Sequence, residues 1–505
     1  MIQRRFTFRT RLNAFKGDTV TLLPSENMPE DKIKKQARII VSERHASTTV
    51  GFMHAVLLAI GDEHFLLAGP SGVGKSTLAE SIVTSIGARI VANDWVAVER
   101  EADGFYASDL NYKKSIIHAD RCRLGGVIFV TKTDELMRDA YVPDDKEFNR
   151  HVRDLFDGVP TTTVQTLSRF WIKNRRNLPF YCVLPARNKN IAYVTQSLIM
   201  ILQRLRPKDT PLQVGIVGIG AVGVALANEL GKQPLIQKVH LYNRSKQAVS
   251  GLSIDLNQAL YQGKSDIYVA HDSVEDLFRR SSVVFLAFRE TNSVQPETGM
   301  PERWKRVRPH TEMVKHYAAI AAKVGYTGTV FMITNPVDFL TYVYLQSSQE
   351  VVGTAQRTFQ AYGIGLEGDV ARAIFYGRHY APQLTSPDVT MYGSHADDLS
   401  LSIALPLKQL ADLTDSVMGA SSEVRSHDIR TVFGPVAATM RSFNAFLESG
   451  SAHVSLVQQN VYIGRKVTFK FGLPMLDTIS KNHAAAYQTL VQGNIDKLAK
   501  FKGIL

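Results

Sequence analysis

Cysteine is nearly missing: only Cys122 and Cys182 occur in 505 residues, and no His/Cys cluster falls at zinc-ligand spacing. This excludes a disulfide framework and a structural zinc as organising devices, and a reducing cytoplasm is the expected setting. No apolar run reaches the ~20 residues of a membrane helix, and no tract is of low complexity. The opening Met1-Ile-Gln-Arg-Arg-Phe-Thr-Phe lacks the apolar core of a secretion signal, and its alternation reads as a first strand. An acidic excess is missing too, since the net charge is +12. The basic residues are scattered rather than striped, so no nucleic-acid module is read. The charge suits anionic small substrates and cofactors.

What the chain has is length for more than one hydrophobic core and two glycine loops of different design. Gly69-Pro-Ser71-Gly72-Val-Gly74-Lys75-Ser76-Thr77 follows the strand-like His64-Phe-Leu-Leu-Ala and opens into the helix-like Leu78 to Ile86. Gly-x-x-x-x-Gly-Lys-Ser lets backbone N–H groups wrap a phosphate chain. Lys75 then pairs with the β/γ-phosphates and Ser76 holds Mg²⁺. The helix N-terminus adds its positive dipole end. The loop predicts a nucleoside triphosphate, ATP, as ligand.

The second loop, Gly218-Ile-Gly220-Ala221-Val222-Gly223, follows the strand-like Val214 to Val217. Such a triplet of glycines arises by chance in about 15–20% of chains this long, so context carries the weight. A helix-like run follows to Leu230, and a second strand ends at Tyr242, where a ribose-reading residue belongs. That residue is Asn243, followed by Arg244 and Ser245. An acid there bonds the ribose 2′-OH of NAD and repels a 2′-phosphate. With Asn243 the repulsion is gone, and Arg244 and Ser245 add a cation and a hydroxyl, so NADP is favoured with NAD as the alternative.

The proline-bounded link Arg206-Pro-Lys-Asp-Thr-Pro211 divides the two halves. The expected organisation is α/β throughout: an ATP-binding domain over 1–206, a linker 207–211, a Rossmann domain over 212–345 and an α+β substrate domain over 346–505.

Two family resemblances sharpen this. His54-Ala-Val-Leu-Leu-Ala, the first glycine loop and Ile90-Val-Ala-Asn93-Asp94 together resemble the HPr kinase/phosphorylase catalytic domain, whose fold is shared with the ATP-dependent phosphoenolpyruvate carboxykinases. The resemblance implies a histidine beside the phosphates and a carboxylate pair as base and metal partner. Here the first carboxylate is Asn93, and an amide takes no proton at neutral pH. Asp94 or His54 must then serve as base, with Ser76 and Asp94 as metal partners. Arg121 and Arg123 resemble the family's arginine-glycine signature and are candidates to hold an anion.

Downstream of 212 the chain resembles the lactate/malate dehydrogenase family. The carriers are Thr334-Asn335-Pro-Val-Asp338, Asp369-Val-Ala-Arg372, Tyr392-Gly-Ser-His395 and Gly299-Met-Pro-Glu-Arg303. The resemblance implies His395 as proton donor and acceptor, Asp369 orienting it and Arg372 gripping a substrate carboxylate. It also implies Arg303 polarising the carbonyl from a mobile loop, and Asn335 bonding the same oxygen. Arg289 is a candidate reader of a second acidic group. The whole implies a two-site enzyme: a kinase of a small-molecule hydroxyl fused to a 2-hydroxy-acid dehydrogenase. The alternative is a dehydrogenase carrying an inactive nucleotide-binding regulatory module. Both families form oligomers, which implies a homo-oligomer.

Overall fold

A computed structural model describes residues 4–10, 12–22, 24, 28–60, 63–110, 121–132, 140–156, 158–186, 195, 198, 211–260, 266–289, 304–351, 360–395, 397–458, 460–470, 472–476 and 479–501. They fall into two compact units, one up to Leu198 and one from Pro211 onward. Of the expected linker 207–211, residues 207–210 lie outside the described residues.

The first unit is built on an eight-stranded mixed sheet. The apolar run from Phe52 to Ile60 belongs to two strands: Val50–Met53 pairs with Val96–Glu99, whereas Ala55–Ile60 pairs with Glu63–Ala68 and Arg89–Asn93. The chain changes partners at His54. It does so again at Asp94, whose φ of 107° ends the strand Arg89–Asn93 before Val96–Glu101 begins. A non-glycine residue in that region is uncommon and marks a constrained turn. The two partner changes lie side by side, since the Asp94 N–H donates to the Ala55 carbonyl at 3.2 Å. Apolar runs such as Val56-Leu-Leu58 and Val127 to Val130 are buried on both faces, which is why they read as continuous rather than alternating.

In the second unit six parallel strands pair in the order Tyr268–Ala270, Ile236–Tyr242, Leu212–Val217, Val283–Leu286, Thr329–Met332, Gln360–Gly363. Numbered along the chain this is 3-2-1-4-5-6, the doubly wound order of dinucleotide-binding folds, with the first strand at the point where the order reverses. The sheet continues into antiparallel strands Ser451–Gln458, Val461–Lys470 and Thr390–Gly393. The division expected at 345 therefore falls within one sheet, and the helix Val337–Val351 runs across it. Gly363, Ser455, Gly464 and Gly393 stand in register across four strands. A side chain at 464 would meet the Gly393 carbonyl at 2.5 Å, so glycine is required for the strands to close.

Candidate active sites

The sheet register of the first unit gathers the residues that the sequence singles out. Ala55 pairs with Ala68, and Val56 with Asn93. The start of one strand and the ends of two others therefore bring His54, Gly69 and Asn93-Asp94 to one sheet end. Gly72 and Gly74 adopt φ of 76° and 95°, and Gly74 caps the helix Lys75–Ile86. Those angles lie where L side chains rarely go, so the loop depends on glycine there. The Lys75 ammonium is buried and donates to the Gly69 and Pro70 carbonyls at 2.7 and 3.0 Å. Burial pulls it down to about 8, against the opposing attraction of Asp94. Ser71, Ser76 and Thr77 are exposed.

Asp94 is fully engaged, its carboxylate pairing with Arg38 through one oxygen and with His54 through the other at 3.3 Å. Burial pushes this carboxyl up, but His54 and Arg38 outweigh it and hold it below the usual carboxylate range. The Ser76 hydroxyl donates to the Asn93 side-chain oxygen at 3.2 Å rather than facing Asp94. Ser76 and Asn93 thus offer oxygens that fit a Mg²⁺–phosphate group, whereas Asp94 fits as a ligand only if Arg38 lets go. Among the described residues no three His, Cys, Asp or Glu side chains gather as a metal site.

The arginine candidates are elsewhere. They stand at the start of the strand Cys122–Lys132, roughly 23–30 Å along it from Val130, whose carbonyl packs against Gly69. Arg121 bonds Glu99 at 2.9 Å, pairs with Glu101 and lies over Tyr106. Sequence reasoning missed Arg38 and Asp109, which carry no motif. Both come to this end of the sheet through packing of the helix Glu30–His45 and the pairing of Asp109 with Val96.

In the second unit the glycine loop fits a dinucleotide position by position. A side chain at Gly218 (φ 97°) would strike the Phe288 backbone at 2.5 Å, and one at Gly223 would strike the Gly218 carbonyl at 2.0 Å. At Gly220 the space is open. The first and third glycines are thus needed for turn and helix packing, and the second leaves room for a pyrophosphate at the N-terminus of the helix Ala221–Gly231. Asn243 is half-buried at the end of its strand and Arg244 is exposed. The Ser245 hydroxyl caps the helix Lys246–Ala259 by accepting from the Ala248 N–H at 3.4 Å.

His395, Asp369 and Arg372 converge. The imidazole Nδ1 is 2.6 Å from one oxygen of the fully buried Asp369, and the other oxygen accepts from Arg372 at 2.8 Å. A carboxylate at Nδ1 requires the proton there, leaving Nε2 to exchange protons with a ligand. Arg372 also donates to the Ser421 hydroxyl at 2.9 Å. Gly365 lets the ring approach, since a side chain there would meet the His395 Cβ at 2.3 Å.

Trp304, Asn335, Asp338, Ser394, His395 and Tyr462 line a small cleft. The Asn335 side-chain oxygen is buried with no hydrogen-bond partner among the described residues, while its backbone carbonyl accepts from His310 at 2.7 Å. A buried orphan acceptor in a cleft is a vacancy for a donor from a ligand. Arg303 and the segment 299–303 lie outside the described residues, and Arg289 is exposed just beyond the strand Val283–Leu286.

Sequence reasoning noted Asp338 only as part of a motif. It is buried, and accepts from the His395 N–H at 2.8 Å and from the Ser455 hydroxyl. Burial pushes its carboxyl up to about 7, with Asp369 and Asp397 adding to the rise. Lys497 was missed altogether. It reaches from the helix Lys481–Lys500 to Asp397 and Asp398, at 2.6 and 2.5 Å.

Residues 212–353 match the lactate/malate dehydrogenase NAD-binding domain. That family model bears on the second unit alone. An L-2-hydroxycarboxylate dehydrogenase (NAD(P)(+)) of Methanocaldococcus jannaschii is 32% identical over 198 residues, 37% of this chain and 58% of that protein. A malate dehydrogenase of Methanococcus maripaludis is 24% identical over 247 residues, 45% of this chain and 75% of the other. The chain thus spans little more than half the length of the first of these relatives. Among solved structures, the malate dehydrogenase of Archaeoglobus fulgidus in complex with NADH aligns with a TM-score of 0.49 at 18% identity, covering 58% of this chain and 100% of that one. Among the described residues no helix is long and apolar enough to cross a membrane.

Proposed function

We propose that the second unit interconverts a 2-hydroxy acid and its 2-oxo acid. The observation that carries this reading is the Arg372–Asp369–His395 chain beside the orphaned Asn335 oxygen. A bound nicotinamide dinucleotide supplies the hydride acceptor, held by Gly218, Gly220, Ala221, Val222 and Gly223. His395 takes the hydroxyl proton as the carbonyl forms, and Asp369 stabilises the resulting imidazolium. Arg372 grips the substrate carboxylate with its planar fork. Arg303 polarises the carbonyl, and Asn335 orients the same end of the substrate. The absence of an acid at 243, with Arg244 beside it, favours NADP over NAD. A panel of 2-oxo acids with NADPH and NADH tests the reading. Failure of every acid to oxidise either cofactor, in a protein that binds it, would sink it.

For the first unit we propose phosphoryl transfer from ATP to a hydroxyl on a small molecule, the two sites serving consecutive steps on one compound. Support comes from Lys75 buried beneath a loop of left-handed glycines, with His54 at the same sheet end. One observation favours the second reading, a nucleotide-binding regulatory module: Asp94 is locked by Arg38 and His54, and Asn93 cannot take a proton. Measuring ATP turnover against Lys75→Ala separates the two. Tight ATP binding with no turnover under any acceptor would favour the module.

A further inference from the structure

His395 stands in the hairpin turn between the strands Thr390–Gly393 and Leu399–Ser402. The turn is closed by its own backbone: the Ser394 N–H donates to the Asp398 carbonyl at 2.8 Å, and the Asp397 N–H to the Ser394 carbonyl at 3.1 Å. Two carboxylates, Asp397 and Asp398, therefore follow the imidazole closely along the chain, and Asp397 lines the same cleft. The Asp338 carboxyl, which accepts from the His395 N–H, is pushed up by burial with Asp397 adding to the rise, so the charge of Asp397 is felt where His395 is anchored. Left uncompensated, the two carboxylates would raise the proton affinity of the ring and repel a substrate carboxylate.

The helix Lys481–Lys500 supplies the compensation. Asn494 and Lys497 stand three residues apart on one face of it. The buried Asn494 side chain accepts from the Ser394 hydroxyl at 3.1 Å and donates to the Tyr462 carbonyl at 2.9 Å, which seats the helix on the turn. Just beyond the helix, Phe501 stacks on Trp304 of the cleft with ring centroids 4.8 Å apart. Lys497 then bridges Asp397 and Asp398 at 2.6 and 2.5 Å, and the side chains of Lys497 and Asp397 are only 23% and 25% exposed. At that burial the pairing is screened less than a surface ion pair. Burial pulls the ammonium down, but the two carboxylates outweigh it and hold it above its ordinary value, so it stays charged at neutral pH.

We infer that Lys497 is a positioning residue of the redox site: it cancels the charge of Asp397 and Asp398, leaving Asp369 to set the proton affinity of His395 and leaving the cleft open to an anionic substrate. This rests on the redox reading given above. Among the described residues, the charged groups around the ring are Asp369 and Arg372 from the helix Leu366–Gly377, Asp338 from the helix Val337–Val351, Asp397 and Asp398 from its own turn, and Lys497. The Tyr462 phenol lines the same cleft from the strand Val461–Lys470. Lys497 touches no reacting atom and acts through the turn that carries the imidazole.

The test is a pH titration of the His395 ring by NMR in the full chain, its signal assigned by loss in His395→Gln. Lys497→Met is expected to raise the midpoint by about one pH unit. Lys497→Arg keeps it near the parent's, Asp397→Asn lowers it, and Lys497→Met combined with Asp397→Asn brings it back. Reduction of a 2-oxo acid with NADPH draws on the imidazolium, so the pH at which its rate falls off moves up with the midpoint. Below that pH, Lys497→Met raises KM for the 2-oxo acid about three- to tenfold while kcat holds within about threefold. If the midpoint is unmoved in Lys497→Met, whether or not activity falls, Lys497 is a structural brace and the inference is overturned while the redox reading stands. If the parent reduces no 2-oxo acid, the redox reading fails and the inference falls with it. Should Lys497→Met not fold, Asp397→Asn decides alone, and a midpoint that stays or rises overturns the inference.

Discussion

Asp338 holds His395 by its backbone: the buried carboxyl accepts from the His395 N–H at 2.8 Å, whereas Asp369 holds the same residue by its ring. Two carboxylates thus fix one imidazole, one setting where the chain runs and the other setting which nitrogen carries the proton.

The first carboxylate has a cost that pH reveals. Its value in the folded chain, about 7, lies above the ordinary 3.8, so the folded state binds the extra proton. The associated stability is full below about pH 4 and is lost as pH rises through 7. Asp338→Asn keeps the acceptor for His395 and offers its amide to the Ser455 oxygen. Its melting temperature relative to the parent is expected to climb between pH 4 and 7 and level off above. A difference that stays flat with pH would contradict this.

The second carboxylate bears on the chemistry. Asp369→Asn leaves the ring without a partner for the imidazolium, and His395→Gln removes the proton carrier. Each is expected to lower turnover of 2-oxo acids by about 10²–10⁴ while NADPH binding, followed by fluorescence, changes less than threefold.

The glycine loop separates cofactor binding from folding. Gly220→Ala meets open space, and its expected effect is lost dinucleotide binding with an unchanged melting temperature. Gly223→Ala drives a methyl into the Gly218 carbonyl and is expected to cost both. Equal losses of stability in the two variants would contradict the fit.

The proposed preference for NADP turns on position 243. Asn243→Asp places a charge against the 2′-phosphate, and like charges about 4 Å apart cost on the order of 4 kcal/mol near a surface. The expected result is an NADP-to-NAD switch in relative kcat/KM of at least tenfold, and an unmoved ratio would remove position 243 from the argument.

Lys75 gives the first unit its own pH signature. Burial pulls its ammonium down to about 8, so ATP affinity is expected to weaken as pH rises past 8 and to lose that dependence in Lys75→Met.

Much of this was legible in the sequence because glycine spacing and strand patterning are local. The second strand of the dinucleotide-binding pattern ends at Tyr242, where the sequence placed it. The change of partner at His54 was not legible, because the strands on both sides of it are buried and nothing local marks the break. The helper residues stayed hidden for a different reason. Arg38 and Lys497 reach their partners across 56 and 100 residues of chain respectively, and an isolated charge on a helix carries no spacing to read.

The row of Gly363, Ser455, Gly464 and Gly393 ties the strand leading to Asp369 and the strand leading to His395 into a continuous hydrogen-bonded fabric with the strands behind the dinucleotide loop. A clamshell opening between these halves would have to tear that fabric.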